Sequence, residues 1–425
     1  MPRTIVRLPT LPRVTRGVLA ATLLALLLPT AQADNAGQPR PLAASHRALL
    51  SERDQGALAT RIEALGQRII DDAKVSGMAI AIVQDDQVLL ERGFGVVQVG
   101  RRDPVDADTA FRLASLSKAF AGTLTALLVR DGALRWDTRI ADHLPAFKLR
   151  NMQQAQTLTV KDILSHRVGL PHNTHDRLLE DDEPYPLLAA RLAEAKPICD
   201  AGQCYSYQNI AFSLIGDMTF AATGDFYSHQ VEKRIFHPLG MYGATFGREA
   251  LEASPSWARP HVKARGGGWM PVRPKENYYR IPPAAGVNAS IRDLSVWLRA
   301  QLGEYPDVLS DDVLASVQAP LVETPGETTA SPWRRERLRG AHYALGWRVY
   351  DYAGHTVVYH AGAVQGYRAM IAFLPDNGFG MAVVWNCESA VPSGLLPTAL
   401  DRYLGLPQQD WLELDRFKTR TRKRG

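Results

Sequence analysis

Cysteine is scarce in this chain. With three in 425 residues, one thiol stays unpaired whatever the other two do. Cys199 and Cys204 flank a turn-like Asp-Ala-Gly-Gln and stand close enough for a small-loop disulfide. Cys387 closes an apolar strand without a thiol-protease histidine context and reads as packing. A long apolar run is missing as well. The stretch Val18 to Leu28 falls short of the roughly 20 residues that span a bilayer. It follows Arg3, Arg7, Arg13 and Arg16 and precedes Ala31-Gln32-Ala33. Residues 1–33 therefore read as a secretory signal, with a periplasmic or secreted mature chain that has no transmembrane span. Finally, the body of the chain lacks a basic excess. The net charge is +5, but the four arginines of the signal and the tail residues Lys418, Arg420, Arg422, Lys423 and Arg424 account for all of it. The body is slightly acidic, and no nucleic-acid partner is expected.

What is present starts at Phe111-Arg-Leu-Ala-Ser-Leu-Ser-Lys-Ala-Phe120. Ser115 and Lys118 stand three apart where an apolar helix begins, and Asp131-Gly132 ends the apolar run. Residues i and i+3 share a helix face, which brings the hydroxyl toward the amine. A serine hydroxyl needs a base beside it, and a buried lysine that has lost its charge can be one. The plainer reading is an N-cap serine followed by an exposed lysine, but flanks this apolar do not suit a surface helix.

Leu58, Ile62, Leu65 and Ile69 predict a helix with one buried face. Met78–Val83 and Val88–Arg92 predict a hairpin through Gln84 to Gln87. Residues 121–284 carry helical patterns and few strand signals, including an Asp variant of the capping box at Thr159 and Asp162. Strands return at Tyr343–Tyr350, His355–His360, Tyr367–Leu374 and Phe379–Trp385, with a turn at Asp376-Asn-Gly378, and a helix from about Val391 to Leu404 follows. The expected fold is α/β (α+β): an antiparallel sheet built from both chain ends, flanked by helices, with a mostly helical inserted region and a cleft between the two parts. The expected organisation is a signal at 1–33 and one domain at 34–425, its α/β part at about 46–120 and 285–405, its helical part at about 121–284, and a basic tail at 416–425.

Two further patterns accompany Ser115-x-x-Lys118. Tyr207-x-Asn209 precedes a helix, and its phenol is useful to catalysis if cations such as Lys118 hold it near the phenolate. His360-x-Gly362 ends a strand, where the glycine lets a substrate backbone approach closely. Read singly, Asn209 is a helix cap and His360 a strand-end residue. Each pattern occurs once in the chain, in that order, 92 and 153 residues apart.

The ordered set resembles the penicillin-recognising serine hydrolases, in particular class C β-lactamases and their relatives: D-alanyl-D-alanine carboxypeptidases, D-aminopeptidases and esterases. Leu158-Thr-Val-Lys-Asp-Ile-Leu-Ser-His-Arg-Val-Gly-Leu170, Ile235-Phe-His-Pro-Leu-Gly-Met241 and Pro283-Ala-Ala-Gly-Val-Asn-Ala-Ser290 add to the likeness, which covers roughly residues 55–405. The resemblance implies a β-lactamase/transpeptidase-like fold and an acyl-enzyme on Ser115. Lys118 and Tyr207 would share proton transfer, with Tyr207 activating the deacylating water. Asn209 would hold the substrate amide, and the N–H groups of Ser115 and Ala363 would form the oxyanion hole. The substrate would be a small molecule, a β-lactam or a D-amino-acid amide, with no cofactor. The same fold also accommodates an esterase, a D-alanyl peptidase or a penicillin-binding sensor that acylates without turning over.

The third motif departs from the Lys-Thr-Gly of class C β-lactamases. Histidine is largely neutral above its ordinary pKa of about 6.5, so carboxylate recognition through this motif is weakened and activity is expected to follow the titration of His360. One more cluster, His172, His175 and Asp176 with Asp181 and Asp182 nearby, reads as a solvated loop ahead of a metal site.

Overall fold

A computed structural model describes residues 48–417. The expected signal and the tail from Lys418 onward lie outside the described residues.

Helix α1 (Glu52–Asp71) starts at Ser51, whose side chain accepts from the Asp54 N–H, and it buries Leu58, Ile62, Leu65 and Ile69. Its apolar stripe lies on the central sheet, where tertiary burial supplies most of a helix's stability. The sheet has eight strands: β1 (Gly77–Gln84), β2 (Gln87–Gly95), β3 (Val322–Glu323), β4 (Leu338–Tyr343), β5 (Arg348–Tyr352), β6 (His355–Val364), β7 (Tyr367–Leu374) and β8 (Phe379–Trp385). Their order is β2-β1-β8-β7-β6-β5-β4-β3, and each neighbouring pair is antiparallel. The first strand pair thus docks on the last strand, and Met78–Gln84 runs in register against Trp385–Phe379. β1 and β8 are buried along their whole length, as strands covered on both faces are. One face carries α1 and the C-terminal helix α6 (Leu395–Tyr403); the other carries α2 (Ser117–Arg130) and α5 (Ile291–Gln301).

Tyr343–Tyr350, expected as one strand, is instead the end of β4, a turn and the start of β5. The turn is forced at Gly346, which has φ +83° and lies so close to α2 that a Cβ there would sit 2.2 Å from the Lys118 carbonyl oxygen. Gly122 repeats the constraint from the other side, 1.9 Å from the Leu345 carbonyl oxygen. These two contacts clamp the reactive helix to the β4–β5 turn and set Arg348 immediately beyond it.

The inserted region is helical, as expected. The Thr159 and Asp162 capping box opens Val160–Leu164, and Asn209, just before α3 (Ile210–Thr223), and Ala285 of α4 (Pro282–Ala285) line the cleft. Cys199 and Cys204 are bridged, and Cys387 is a buried free thiol. Among the described residues no helix is long and apolar enough to cross a membrane.

Candidate active site

Ser115 lies on a single 3₁₀ turn (Ala114–Leu116) that leads directly into α2, so the nucleophile precedes the α-helix while Lys118 sits in its first turn. A 3₁₀ turn eclipses positions i and i+3. The residue before the serine, Ala114, adopts φ +50° although it is not glycine. Such strain persists where surrounding structure over-determines it, and here Gly362 of β6 presses on the turn so closely that a Cβ would meet the Leu113 carbonyl oxygen at 2.0 Å.

Lys118 is fully buried, and its Nζ lies 3.3 Å from Ser115 Oγ, 2.7 Å from Asn209 Oδ1 and 3.1 Å from the Ala284 carbonyl oxygen. Burial pulls its pKa well below the ordinary lysine value; the Asp176 carboxylate opposes this and the Arg348 charge adds to it. A neutral amine has two N–H groups and one lone pair. The two N–H groups have two acceptors, Asn209 Oδ1 and Ala284 O, so the lone pair is left for the serine proton.

Asn209 precedes α3 but makes no side-chain cap bond there. Its Nδ2 donates to Asp176 Oδ2 at 2.6 Å, which fixes the amide the right way round: a flipped amide would turn N–H toward N–H at Lys118. Asp176 is 7% exposed, and its Oδ1 has no hydrogen-bond partner. Burial raises its pKa to about 6 against the hydrogen bond from Asn209, the Lys118 charge and the Tyr278 hydroxyl, while Glu180 adds to the rise.

The Tyr207 ring has the Lys118 amine 4.7 Å from its centroid, and its hydroxyl lines the same cleft as Ser115. Contrary to the phenolate expectation, burial pushes its pKa above the ordinary tyrosine value despite the nearby Arg348. At neutral pH it is therefore a phenol and a proton donor. His166 packs against it, ring centroids 4.3 Å apart, and accepts the Gln208 backbone N–H through Nδ1 at 3.2 Å.

His360 also differs from expectation. It is 2% exposed; its Nδ1 donates to the Ala361 carbonyl at 2.8 Å, and its Nε2 lies 3.2 Å from the Tyr343 hydroxyl, which donates to it. Burial, Arg348 and Lys118 all depress its pKa well below 6.5, so the imidazole stays neutral and does not supply the expected titration near neutral pH. Permanent cations in the cleft come instead from arginines that the sequence reading passed over: Arg348, with Arg334 and Arg368 on the same lining. Arg348 Nη1 is 2.8 Å from Glu327 Oε1, and its Cζ stands 5.7 Å from the Tyr207 ring and 5.4 Å from the Tyr343 ring. Arg334 pairs with the same carboxylate at 2.6 Å, so two guanidinium groups share one carboxylate. Nothing short of the β4–β5 turn could have revealed Arg348, since no motif contains it.

These side chains border one cleft of about 600 Å³ that Ser115, Tyr207, Asn209, His360, Gly362 and Ala363 all line. The loop cluster does not assemble. Asp176 turns inward to Asn209, while His175 bonds the Arg191 carbonyl at 2.9 Å, and among the described residues no group of three His, Cys, Asp or Glu side chains is arranged to hold a metal ion.

Comparison with known proteins places the chain in a family and a fold. The Beta-lactamase family model matches residues 58–404. The unguisins hydrolase ungD' of Aspergillus campestris is 28% identical over 354 residues, 80% of this chain and 63% of that protein. Protein flp of Staphylococcus aureus is 25% identical over 340 residues, 77% and 63% of the two chains. The chain thus spans less than two thirds of the length of these relatives. Among solved structures, the octameric penicillin-binding protein homologue from Pyrococcus abyssi superposes with a TM-score of 0.72 at 24% identity, covering 82% of this chain and 77% of that one. A structure described as SurE gives 0.68 at 22%, covering 84% and 80%. Those two likenesses concern the fold. With the family model spanning most of the sequence, the chain belongs to the β-lactamase family of serine hydrolases.

Proposed function

We propose that the protein is an exported serine acyl hydrolase of the class C β-lactamase type, opening β-lactams or cleaving D-amino-acid amides through an acyl-enzyme on Ser115. The observation that carries this reading is the buried Lys118 amine, whose Nζ lies 3.3 Å from Ser115 Oγ while Asn209 Oδ1 and the Ala284 carbonyl accept from it. In acylation the Ser115 proton passes to Lys118 as Oγ attacks the carbonyl carbon. The tetrahedral oxyanion is held by the N–H groups of Ser115 and Ala363, a contribution of about 3 kcal/mol per donor. As the C–N bond breaks, the Tyr207 hydroxyl protonates the leaving nitrogen and is reprotonated from Lys118. The regenerated amine then activates water for deacylation. Asn209 keeps one N–H for the substrate amide. Arg348 supports a carboxylate-bearing substrate, since it supplies the cation that His360 does not. The relative named as an unguisins hydrolase supports turnover over capture.

A second reading, an esterase of small acyl esters, is favoured by the neutral His360; a D-alanyl peptidase or a non-turning-over penicillin-binding sensor are further uses of the same site. A fluorescent penicillin, a D-alanine anilide and a p-nitrophenyl ester, offered to wild type and Ser115→Ala, separate them. Transient labelling with β-lactam or amide turnover that Ser115→Ala abolishes is the expected result. Stable labelling means a sensor, ester hydrolysis alone means an esterase, and activity surviving in Ser115→Ala refutes the mechanism. Export is tested by N-terminal sequencing of protein recovered outside the cytoplasm, where a start at residue 34 is expected.

A further inference from the structure

A second cavity, of about 860 Å³, shares no lining residue with the catalytic cleft. It runs along one face of α3, where Ser213, Gly216, Asp217 and Phe220 recur at helical spacing. Its walls are mostly apolar, and its exposed rim is aromatic. Phe220 is 48% exposed and Phe226 71%, their ring centroids 5.4 Å apart. Large aromatic side chains left this open on a folded surface mark a binding site more often than chance exposure does.

The polar groups of the cavity are few and unbalanced. Asp217 accepts a hydrogen bond from the Tyr185 hydroxyl at 2.6 Å, and among the described residues no ion pair reaches its carboxylate. The nearest basic residues of the wall are His143 and Arg280, and Arg280 is paired with Asp182 at 3.3 Å. Burial raises the Asp217 pKa, with only the Tyr185 hydrogen bond opposing it, as expected of a carboxylate without a cation. An uncompensated carboxylate and a pair of exposed rings in one mostly apolar cavity match an ammonium group carried on an apolar body, since the acid fixes the charge and the rings take the body.

We propose that this cavity is a second binding site, taking an organic amine whose ammonium sits on Asp217 and whose apolar body lies on Phe220 and Phe226. The floor is Pro282 and Pro283 of α4, the short helix whose Ala284 carbonyl accepts from Lys118. A Cβ at Gly216 would stand 3.0 Å from Pro283 Cγ, so α3 and α4 meet closely there. The amine site therefore backs onto the segment that holds the catalytic lysine.

The test uses the full chain carrying Ser115→Ala, which keeps binding independent of any turnover, titrated by calorimetry at pH 8 with 1-naphthylmethylammonium and with its neutral counterpart 1-naphthylmethanol. One site is expected, with the cation at least tenfold tighter. Asp217→Asn is expected to bring the two ligands within twofold, and Tyr185→Phe, which removes only the hydroxyl on the carboxylate, to lower the preference at least threefold while leaving the alcohol unchanged. Phe226→Ala should weaken both ligands at least threefold. Equal affinities in the parent protein, a cation preference unchanged by both Asp217→Asn and Tyr185→Phe, or binding abolished by a covalent acyl adduct on Ser115 in the otherwise wild-type chain would each overturn the proposal. So would self-association that Phe226→Ala removes in a protein that binds neither probe.

Discussion

Replacing Asp176 by asparagine should make the protein more stable and less active at once. The side chain is 7% exposed, and its pKa in the folded state is raised from 3.8 to about 6. At about 1.36 kcal/mol per pKa unit, holding the ionised form at pH 8 costs about 3 kcal/mol. The isosteric amide removes that cost but loses the charge assistance in the bonds from Asn209 and Tyr278, roughly 1–2 kcal/mol. The net expectation is a gain of about 1–2 kcal/mol at pH 8. A carboxyl whose folded pKa is raised contributes stability at low pH that is lost as pH climbs through the window from 3.8 to about 6. The variant's advantage should therefore widen by about 1–1.5 kcal/mol between pH 5 and pH 8. Catalysis moves the other way. An asparagine at 176 can offer Asn209 either its oxygen or its NH2 group, so the Asn209 amide is no longer locked toward Lys118, and a loss of about 10–100-fold in kcat/KM is expected, about 1.4–2.7 kcal/mol of transition-state stabilisation. The acid limb of the pH–rate profile should also shift down, because the Asp176 charge favours the protonated form of Lys118 and its own protonation is gone. Urea unfolding of wild type and Asp176→Asn at pH 5 and pH 8, beside their pH–rate profiles, reads every term. An acid limb that stays in place, or a variant that loses ground to wild type as pH rises, would refute the reasoning.

Two other substitutions and one titration probe the frame of the site. Gly362→Ala puts a Cβ 2.0 Å from the Leu113 carbonyl oxygen, backbone against backbone, and should cut acylation of Ser115 at least a hundredfold in a protein that still folds; near-normal labelling by a fluorescent penicillin would count against the close approach. Arg348→Ala leaves the Tyr207 and Tyr343 rings without their cation and breaks the pair with Glu327, which keeps Arg334. A destabilisation of about 2–4 kcal/mol and a larger loss on carboxylate-bearing than on neutral substrates are expected, read by urea unfolding and a matched substrate pair. Because burial keeps His360 neutral, an NMR titration of its imidazole between pH 5.5 and 8 should show no protonation step; a midpoint inside that range would restore it as the pH-sensitive group.

The sequence alone determined the things that depend on local pattern and on residue type. The apolar spacing of Leu58, Ile62, Leu65 and Ile69 placed the first helix, the alternation of strand and turn signals at both ends placed the sheet, and Ser115, Lys118, Tyr207, Asn209, His360 and Gly362 were each found as short motifs that meet at one cleft. What it could not determine is the charge each group carries, because protonation depends on burial and on neighbours that are distant in the chain. The sequence asks for cations that hold Tyr207 near the phenolate, and in the fold desolvation outweighs them and keeps it a phenol; His360 reads as a titrating imidazole and is a neutral one, because desolvation and the nearby cations act together. Arg348 and Asp176, which supply the permanent positive charge beside Tyr207 and the fixed orientation of Asn209, belong to no motif. They were decided by the turn at Gly346 and by the buried first residue of the short helix Asp176–Glu180, where packing between segments far apart in the chain, and no local propensity, selects the conformation.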